Sequence, residues 1–427
     1  MTTLTRAIFA RKLFDISWRS IFRGICAVIA SRDNDHISEI NITNRLDQIW
    51  APSQTMTSFS VRSGFDLLLQ ACAFPAGSEI ILSAVTVPDM VNIIRLHNLV
   101  PVPVDLQATD ASVSAKDVAE HITSRTKAVL VAQLFGNRHP LANLGILAKE
   151  NQLLLIEDCA QAFKGRDFVG SLEASISMFS FGPIKTCTAL GGALLTVRDP
   201  KLLQSMKSTL ATYPQQKRTQ YLKKLLKYSI FKAVTDNRYA YGTLIALLRA
   251  REGDHHAAIT NLSHSLPGNA NLVSQIRLRP SNASMQLLEH RISTFNSSYI
   301  DKRAARIAEL VVQLPETLQP IGFKMAKGLP STHHYWICPI RTIHPRQVLN
   351  DLLDAGFDAA AGNASLTVVN GPSTSENEAA DACVNSNFCP TASMMMRDVI
   401  YLPVDHVFTP KSKDRLRAVL IRHTGPT

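Results

Sequence analysis

Apolar runs that end in polar residues occupy residues 153–197, and this pattern constrains the fold more than any other part of the chain. The first run ends at Asp158 and is followed by Gln161, and the second ends at Ser180 and is followed by Lys185. In an open α/β sheet, ligands bind at the carboxyl ends of the strands. The segment therefore predicts that an acid, an amide, a hydroxyl and an amine surround one ligand site.

These four residue types suit the chemistry of pyridoxal phosphate (PLP). A lysine amine forms a Schiff base with the cofactor aldehyde, and an acid that keeps the pyridine nitrogen protonated lets the ring accept electrons. Lys185 and Asp158 fit these two roles, while Gln161 suits the ring hydroxyl and Ser180 the phosphate. Each residue alone has an ordinary alternative, since most lysines are solvated surface charges and an Asp after a strand is often a helix N-cap. Their joint order and spacing favour the cofactor.

Further short motifs extend this pattern along the chain. The central ones are Glu157-Asp158-Cys159-Ala160-Gln161-Ala162, Ser180-Phe181-Gly182-Pro183-Ile184-Lys185 and Gly191-Gly192-Ala193. The outer ones are Ser63-Gly64, Gly77-Ser78-Glu79-Ile80-Ile81, Val102-Pro103-Val104-Asp105, Thr126-Lys127-Ala128-Val129 and Tyr401-Leu402-Pro403-Val404. With them the chain resembles the DegT/StrS family of PLP-dependent sugar aminotransferases, whose motifs include E-D-A-A-Q-A and S-F-x-x-x-K. The family belongs to fold type I, the aspartate aminotransferase-like group, and the likeness extends from residue 50 to residue 422.

The resemblance implies a role for each polar residue. Lys185 is the internal aldimine lysine and the general base that moves a proton between the substrate and cofactor carbons. Asp158 pairs with the pyridine nitrogen, Gln161 with the ring hydroxyl and Ser180 with the phosphate. The N–H of Gly64, at a helix N-terminus, is expected at the same phosphate because the helix dipole favours an anion there. The predicted cofactor-binding residues are Ser63, Gly64, Phe65, Asp158, Gln161, Ser180, Lys185 and Arg277, with Lys185 and Asp158 catalytic and no metal ligand.

Four positions depart from the family pattern. Phe65 stands where the family has a Thr that binds phosphate, and Val87 stands where an aromatic ring usually stacks on the cofactor. Gln133 precedes Leu-Phe-Gly where the family often has a His. Arg277 replaces an Asn that, in the family, reaches the phosphate of the neighbouring subunit, and a planar cation suits that task. The alternative is that Arg277 and Arg279 are solvated surface charges.

Apolar β-rich runs alternate with helix-like segments in the first half of the chain. Strands are predicted at residues 79–84, 128–134, 153–157, 176–181 and 193–197, and helices at residues 65–73 and 141–151. This alternation favours a mostly parallel sheet with helices on both faces. The predicted fold class is α/β, and the resemblance implies the aspartate aminotransferase-like fold type I, with one antiparallel strand and a smaller C-terminal α/β domain.

Three regions are predicted along the chain. Residues 1–50 form an N-terminal basic amphipathic segment, residues 51–290 the large PLP-binding domain with a basic helical insertion over 213–260, and residues 291–427 the small domain. In the small domain, residues 336–340 are predicted to form a strand and 345–355 a helix. Residues 363–392, rich in Asn, Ser, Thr, Glu and Ala, are predicted to be a long surface loop.

The formal net charge of +11 is concentrated in the N-terminal segment and in residues 217–251. Both segments interleave cations with large apolar side chains, as helices that lie on anionic membranes do. The alternative is that their apolar sides pack in the core. Arg19 and Arg23 interrupt the first apolar run, so neither a secretory signal nor a bilayer span is predicted. A transit peptide ranks below a surface helix.

Composition excludes several protein classes. A chain of 427 residues with 46% hydrophobic and 19% charged residues is globular rather than disordered or fibrous. Seven cysteines without C-x-x-C spacing favour the reducing cytosol and predict no metal cluster. The positive charge is not accompanied by a recognised nucleic-acid-binding module, so no nucleic-acid partner is predicted.

The resemblance implies a cytoplasmic homodimer that transfers an amino group from an amino acid, typically L-glutamate, to a keto group. The acceptor is expected to be a nucleotide sugar or related carbonyl compound of polysaccharide, glycolipid or secondary-metabolite biosynthesis. Two alternatives remain: a PLP-fold dehydratase or eliminase, and a non-catalytic PLP-fold regulatory protein, which Phe65 and Val87 make conceivable. Because Lys185, Asp158 and Gln161 are all present, the transaminase is favoured.

Overall fold

The computed structural model describes residues 6–252, 255–263, 271–312, 314, 334–362, 366–369, 388–403, 406 and 408–423. The strands are β1 Thr55–Ser58, β2 Glu79–Ser83, β3 Val85–Thr86, β4 Val100–Val104, β5 Thr126–Ala132, β6 Leu154–Asp158, β7 Ile176–Ser180, β8 Ala193–Val197, β9 Cys338–Arg341, β10 Ala360–Ala361, β11 Thr367–Val368 and β12 Val399–Leu402. The helices are α1 Trp18–Ala30, α2 His36–Ile49, α3 Val61–Cys72, α4 Pro88–Leu96, α5 Ala115–Glu120, α6 Ala142–Glu150, α7 Pro200–Ala211, α8 Arg218–Asp236, α9 Arg238–Glu252, α10 His255–Ser263, α11 Leu272–Ile276, α12 Asn282–Ser293, α13 Ser298–Val312, α14 Pro345–Asp354, α15 Pro390–Asp398 and α16 Pro410–Arg422.

The central sheet has seven strands in the order β1-β8-β7-β6-β5-β2-β4. Strands β4, β2, β5, β6 and β7 run parallel, whereas β8 is antiparallel to both of its neighbours. The parallel strands are apolar along most of their length because both faces of the sheet are covered. The predicted fold class is confirmed, including the antiparallel strand that the resemblance implied.

Alternate residues of β7 show how the two faces are buried. Met178 packs in the cluster that contains Phe65 of α3. Phe179 points the other way, into a cluster with Trp50, at the end of α2, and Tyr221 of α8. The rings of Trp50 and Phe179 are 5.0 Å apart in an edge-on arrangement. The N-terminal helices and the insertion helix α8 therefore close one face of the sheet.

A smaller three-stranded antiparallel sheet, β10-β12-β9, lies in the C-terminal part of the chain. Helices α14 and α16 contact each other, and α14 also contacts this sheet. Their buried residues Leu352 and Leu416 share a cluster with Ile340 of β9 and Ile400 of β12. This unit corresponds to the predicted small C-terminal α/β domain.

Most predicted elements are found within a few residues of their expected positions, with corrections in three places. Helix α3 begins at Val61 rather than residue 65 because Ser60 supplies the N-cap. Strand β9 begins at Cys338. The predicted domain boundary near residue 291, a position within α12, stays a prediction. Of the loop predicted over 363–392, Thr367–Val368 form a strand that pairs with β3, and α15 begins at Pro390. Residues 363–365 and 370–387 lie outside the described residues.

One buried carboxylate, on Asp358, joins three distant parts of the chain. It accepts two hydrogen bonds from Arg11 of the N-terminal segment, at 2.7 and 2.9 Å, and one from the Tyr241 hydroxyl of α9 at 2.6 Å. Burial opposes its ionisation, but Arg11, His255 and Tyr241 outweigh that cost and hold the pKa of Asp358 well below its usual range. The carboxylate is therefore charged and paired in the folded protein.

His255 and His256 lie beside Asp358, in a group whose donor atoms are close enough to hold a metal ion. The sequence analysis did not single out this group. Because Arg11 and Tyr241 already occupy the carboxylate, we assign the group a structural role.

None of the helices within the described ranges is long and apolar enough to cross a membrane.

We predict that Asp358→Asn lowers the free energy of unfolding by about 3–5 kcal/mol, because it leaves the Arg11 guanidinium buried without its counter-charge. Urea denaturation measures the change. Arg45→Met, which breaks an exposed pair with Glu289 at 2.7 Å, is the control and costs less than about 1 kcal/mol. The double variant Arg11→Met/Asp358→Asn is expected to lose less free energy of unfolding than the two single variants together. A loss equal to that sum would contradict the coupling of the two residues.

Candidate active site

Asp158 and Lys185 lie at the same edge of the central sheet. Asp158 is the last residue of β6, and the adjacent parallel strand β7 ends at Ser180 and leads into the turn that carries Lys185. The backbone N–H of Lys185 donates to the Gly182 carbonyl oxygen at 3.1 Å, and the Thr188 hydroxyl donates to the same oxygen at 2.6 Å. Strand order and this turn bring the predicted acid and amine into one site.

Burial sets the protonation of both groups. It lowers the pKa of Lys185 to about 8, with Asp158 opposing the shift and the cations Arg62 and Lys12 adding to it. Burial also raises the pKa of Asp158, against the effects of the Ala160 N–H, which donates to its carboxylate at 2.9 Å, and of Lys185. A lysine is nucleophilic only as the neutral amine, which this environment favours. A cationic ring nitrogen beside Asp158 would favour its carboxylate form.

Gln161 is held by its carbonyl oxygen. That oxygen accepts the N–H of Phe135 at 2.7 Å, in a turn where Phe135 and Gly136 have φ values of 61° and 94°. A side chain at Gly136 would clash with the backbone nitrogen of Trp336, at 2.5 Å. The NH₂ group of Gln161 is thereby left as the donor for an oxygen of a ligand, as the predicted ring-hydroxyl contact requires.

The first turn of α3 faces the same edge but differs from expectation. The Ser60 hydroxyl accepts the Ser63 N–H at 3.2 Å, and the Ser60 carbonyl accepts the Gly64 N–H at 3.0 Å. The Gly64 N–H thus makes the first helical hydrogen bond instead of serving a phosphate. The N–H groups of Val61 and Arg62 have no acceptor within the helix and are the ones an anion can use.

Residues Ser63, Gly64 and Phe65 have structural roles in this protein. A side-chain carbon on Gly64 would lie 2.6 Å from Leu195 of β8, so glycine allows close contact between helix and strand. Phe65 is fully buried in the core, and the Ser63 hydroxyl lies 2.9 Å from that of Ser60. The Phe65 ring therefore offers no group to a ligand.

Arg277 and Arg279 are both in ion pairs, so neither is a free surface charge. Arg277 donates through Nε and Nη2 to Asp66, both at 3.0 Å. Arg279 is buried and donates to Glu39 at 2.6 Å and to the Tyr213 carbonyl at 2.9 Å. The predicted phosphate contact of Arg277 stays a prediction, with two of its donors already engaged.

The other two departures, Val87 and Gln133, have different structural consequences. Val87 is half-buried at the N-cap of α4 and packs on the core beside β3. Gln133 is buried and donates to Glu157 at 2.8 Å and to the His139 carbonyl at 3.1 Å. Gln133 therefore holds the loop between β5 and α6 rather than presenting a free amide.

Three residues that the motifs did not reveal surround the lysine turn, two of them in direct contact with it. The ring of Trp336 lies 4.3 Å from the Lys185 amine, and its indole N–H donates to the Ile184 carbonyl at 3.2 Å. Lys12 donates to the Trp336 carbonyl at 2.8 Å, and the Asp15 carboxylate accepts the Cys187 N–H. Tertiary contacts from both ends of the chain create these positions, and no local motif announces them.

The residues present fit PLP. Asp158 suits a pyridine nitrogen, Lys185 an aldehyde, and the Gln161 NH₂ group a ring oxygen. Ser180, with the free N–H groups at the start of α3, suits a phosphate. Asp158 thus lies where the ring nitrogen would need a negative charge, and the start of α3 offers backbone N–H donors to the phosphate.

Comparison with known proteins agrees with this assignment. A model of the DegT/DnrJ/EryC1/StrS aminotransferase family matches residues 54–232. The chain is 34% identical over 140 residues to GDP-perosamine synthase of Escherichia coli O157:H7, covering 32% of this chain and 38% of that protein. It is 33% identical over 170 residues to dTDP-3-amino-3,6-dideoxy-alpha-D-galactopyranose transaminase of Aneurinibacillus thermoaerophilus, covering 38% and 46%. These matches therefore span less than half of either relative.

The fold is shared over nearly the whole chain with solved aminotransferases. An aminotransferase of pseudoaminic acid biosynthesis from Helicobacter pylori superposes with a TM-score of 0.68 at 13% identity, covering 97% of this chain and 99% of that one. A proposed sugar aminotransferase from Streptococcus pneumoniae in its PLP form superposes with a TM-score of 0.65 at 16% sequence identity. The superposition covers 97% of this chain and 99% of that one. Family and fold together support PLP as the cofactor. With the site described above, the match shows that residues 54–232, less than half of the chain, are similar to the DegT/DnrJ/EryC1/StrS aminotransferase family.

Proposed function

We propose that the protein is a PLP-dependent aminotransferase that takes an amino group from an amino acid, L-glutamate first, and delivers it to a keto group. The observation that carries this proposal is the half-buried pair of Asp158, at the end of β6, and Lys185, in the turn after the neighbouring parallel strand β7. The names of the curated relatives support a nucleotide sugar or related carbonyl compound as the acceptor. Polysaccharide, glycolipid or secondary-metabolite biosynthesis is the corresponding setting.

Each site residue has a defined task in this proposal. PLP, when bound, supplies an aldehyde carbon that joins to amines and a ring that accepts electrons. Asp158 keeps a proton on the ring nitrogen by its negative charge. Lys185 first acts as the nucleophilic amine and, once released, moves a proton at the α-carbon of the substrate. Gln161 orients the ring through its NH₂ group.

Trp336 and Lys12 keep water away from the reacting amine. The Trp336 ring covers the Lys185 amine at 4.3 Å, and Lys12 also lies over that ring, at 5.4 Å. With a pKa of about 8, half of the Lys185 amines are neutral at pH 8, and the neutral amine is the form that can accept a proton. The N-terminal segment thereby helps to set the reactivity of the Lys185 amine.

Two alternative functions are less well supported. A dehydratase or eliminase of this fold often lacks the lysine, whereas Lys185 is present and has a lowered pKa. A non-catalytic regulatory protein is favoured by Phe65 and Val87, but Phe65 only fills the core. The homodimer and the cytoplasmic location implied by the resemblance remain proposals.

The protein with added PLP is expected to show a visible absorption band that L-glutamate bleaches. Lys185→Ala should lose the band because no amine is left at that position, and its far-UV circular dichroism should stay unchanged. Asp158→Asn should keep bound PLP but bleach at least about 100-fold more slowly, since a neutral ring is a poor electron acceptor. A band that no amino donor bleaches would contradict transamination, and a band retained in Lys185→Ala would remove the lysine from the mechanism.

The rate at which PLP adds covalently to the apoprotein is expected to rise with pH and to level off above about pH 8. The reason is that only the neutral Lys185 amine reacts and its pKa is about 8. Borohydride trapping at timed intervals measures the rate. In Asp158→Asn the plateau should begin at lower pH, because Asp158 raises the pKa of Lys185. A wild-type rate still rising at pH 10 would indicate an ordinary solvated lysine.

We further propose that α1 contacts an anionic membrane surface. Its Ile21 and Val28 are buried in the core, so the packing alternative holds for one side of the helix. On the other side Trp18, Phe22 and Ile29 are 50%, 69% and 73% exposed. Apolar side chains beside exposed arginines, as on this face, suit an anionic bilayer.

Flotation with phosphatidylglycerol liposomes is expected to carry the wild-type protein, and phosphatidylcholine liposomes to carry little. Phe22→Ser/Ile29→Ser should abolish flotation because it removes the exposed apolar face. Leu172→Ser/Ile343→Ser removes two residues that are 87% and 66% exposed elsewhere and serves as the matched control. Wild-type protein that stays at the bottom of the gradient would refute the contact.

A further inference from the structure

Lys224 of the insertion helix α8 lies beside the turn that precedes β8. A side-chain carbon built on Gly191 would lie 3.3 Å from the Lys224 amine, so the ammonium occupies the space that the missing side chain leaves. Tyr221 is buried on the same face of α8, and its hydroxyl donates to the Ala189 carbonyl at 2.8 Å. Leu225 is fully buried next to Lys224. Lys224 is therefore held on the inward face of its helix.

The turn at Gly191 belongs to the phosphate end of the site. The Gly191 N–H donates at 3.0 Å to the carbonyl of Phe181, which directly follows β7. The Gly192 N–H donates at 3.2 Å to Phe59, which directly precedes the Ser60 cap of α3. The end of β7, the start of β8 and the first turn of α3 thus meet around this turn, and Lys224 reaches it from α8.

The charges around Lys224 leave its ammonium without an anion. Burial lowers the pKa of Lys224 to about 8, and the cations Lys227 and Arg62 add to the shift. Arg62 has its own partner, Asp89, at 2.7 Å. Within the described residues no carboxylate forms an ion pair with Lys224. Because a partly buried charge is costly unless it is paired, this arrangement favours an anionic ligand.

We propose that Lys224 binds the phosphate of PLP, an inference that rests on the proposed function. Two phosphate ligands of the family pattern are altered in this chain: Phe65 replaces a Thr hydroxyl, and Arg277 is bound to Asp66 through two donors. An ammonium at the Gly191 turn, where the end of β7 and the first turn of α3 meet, can supply a charge-assisted hydrogen bond to the phosphate dianion. The insertion thereby adds a cofactor contact from within the same chain.

The test compares PLP with pyridoxal, which has the same ring and aldehyde but no phosphate. Both are titrated into the apoprotein, and the dissociation constant is read from absorbance. Lys224→Met is expected to raise the dissociation constant of PLP by about 10- to 100-fold, as loss of a hydrogen bond to a charged group does, and to leave that of pyridoxal within about twofold. Lys223→Met, which removes an exposed lysine from the preceding position of the helix, should change neither constant, and Lys224→Arg should keep most of the PLP affinity.

Several results would overturn the assignment. One is an unchanged PLP constant in Lys224→Met. Another is an equal weakening of PLP and pyridoxal, because the loss would then not concern the phosphate. A third is a Lys224→Met variant that binds PLP as the wild type does but binds dTDP more weakly. The ammonium would then bind a nucleotide and not the cofactor. In each of these results, tight PLP binding by the wild-type protein would mean that only the role of Lys224 is wrong. A wild-type protein that binds neither PLP nor pyridoxal would refute the proposed function itself.

Discussion

The ion pair between Arg11 and Asp358 fixes the path of the N-terminal segment, and the surroundings of the lysine depend on that path. Two hydrogen bonds from Arg11 and one from Tyr241 compensate the burial of the carboxylate. Two backbone hydrogen bonds strengthen this junction. The Phe9 N–H donates to the Gly356 carbonyl at 2.9 Å, and the Phe9 carbonyl accepts the backbone N–H of Asp358 at 2.9 Å. Three parts of the chain that are far apart in sequence thereby become one packed unit, and removing one charge would leave the other buried and unpaired.

The residues that follow Arg11 carry this constraint into the site. Lys12 holds the carbonyl of Trp336, whose ring lies on the Lys185 amine, and Asp15 accepts the N–H of Cys187 just after that lysine. Burial is the largest cause of the lowered Lys185 pKa, and the charge of Lys12 adds to it. The reactivity of the amine is therefore set jointly by the sheet, which places it, and by the two ends of the chain, which desolvate it.

Sequence reasoning reached the sheet and the acid–amine pair because both are local. Strands reveal themselves by short apolar runs, and parallel order puts their carboxyl ends together, so Asp158 and Lys185 were predictable. Whether the Gly64 N–H is available to a ligand depends on the residue at which α3 begins. Because Ser60 is the N-cap, the helix begins at Val61, earlier than predicted, and the Gly64 N–H is used within it. Trp336, Lys12 and the network around Asp358 depend on tertiary contacts between distant segments, which a single sequence does not encode in any spacing.

The two departures that first suggested a weakened site have separate physical explanations. Position 65 faces the sheet from α3, so Phe65 adds buried apolar area and does not displace a ligand. Val87 offers no aromatic surface, and the indole of Trp336 is an aromatic ring that lies over the Lys185 amine. The surroundings of the Lys185 amine thus include Lys12 of the N-terminal segment and Trp336 near β9, two positions outside the motif-bearing strands. These contacts desolvate the Lys185 amine, while Asp158 stays at the end of β6 and opposes the resulting fall in the pKa of Lys185.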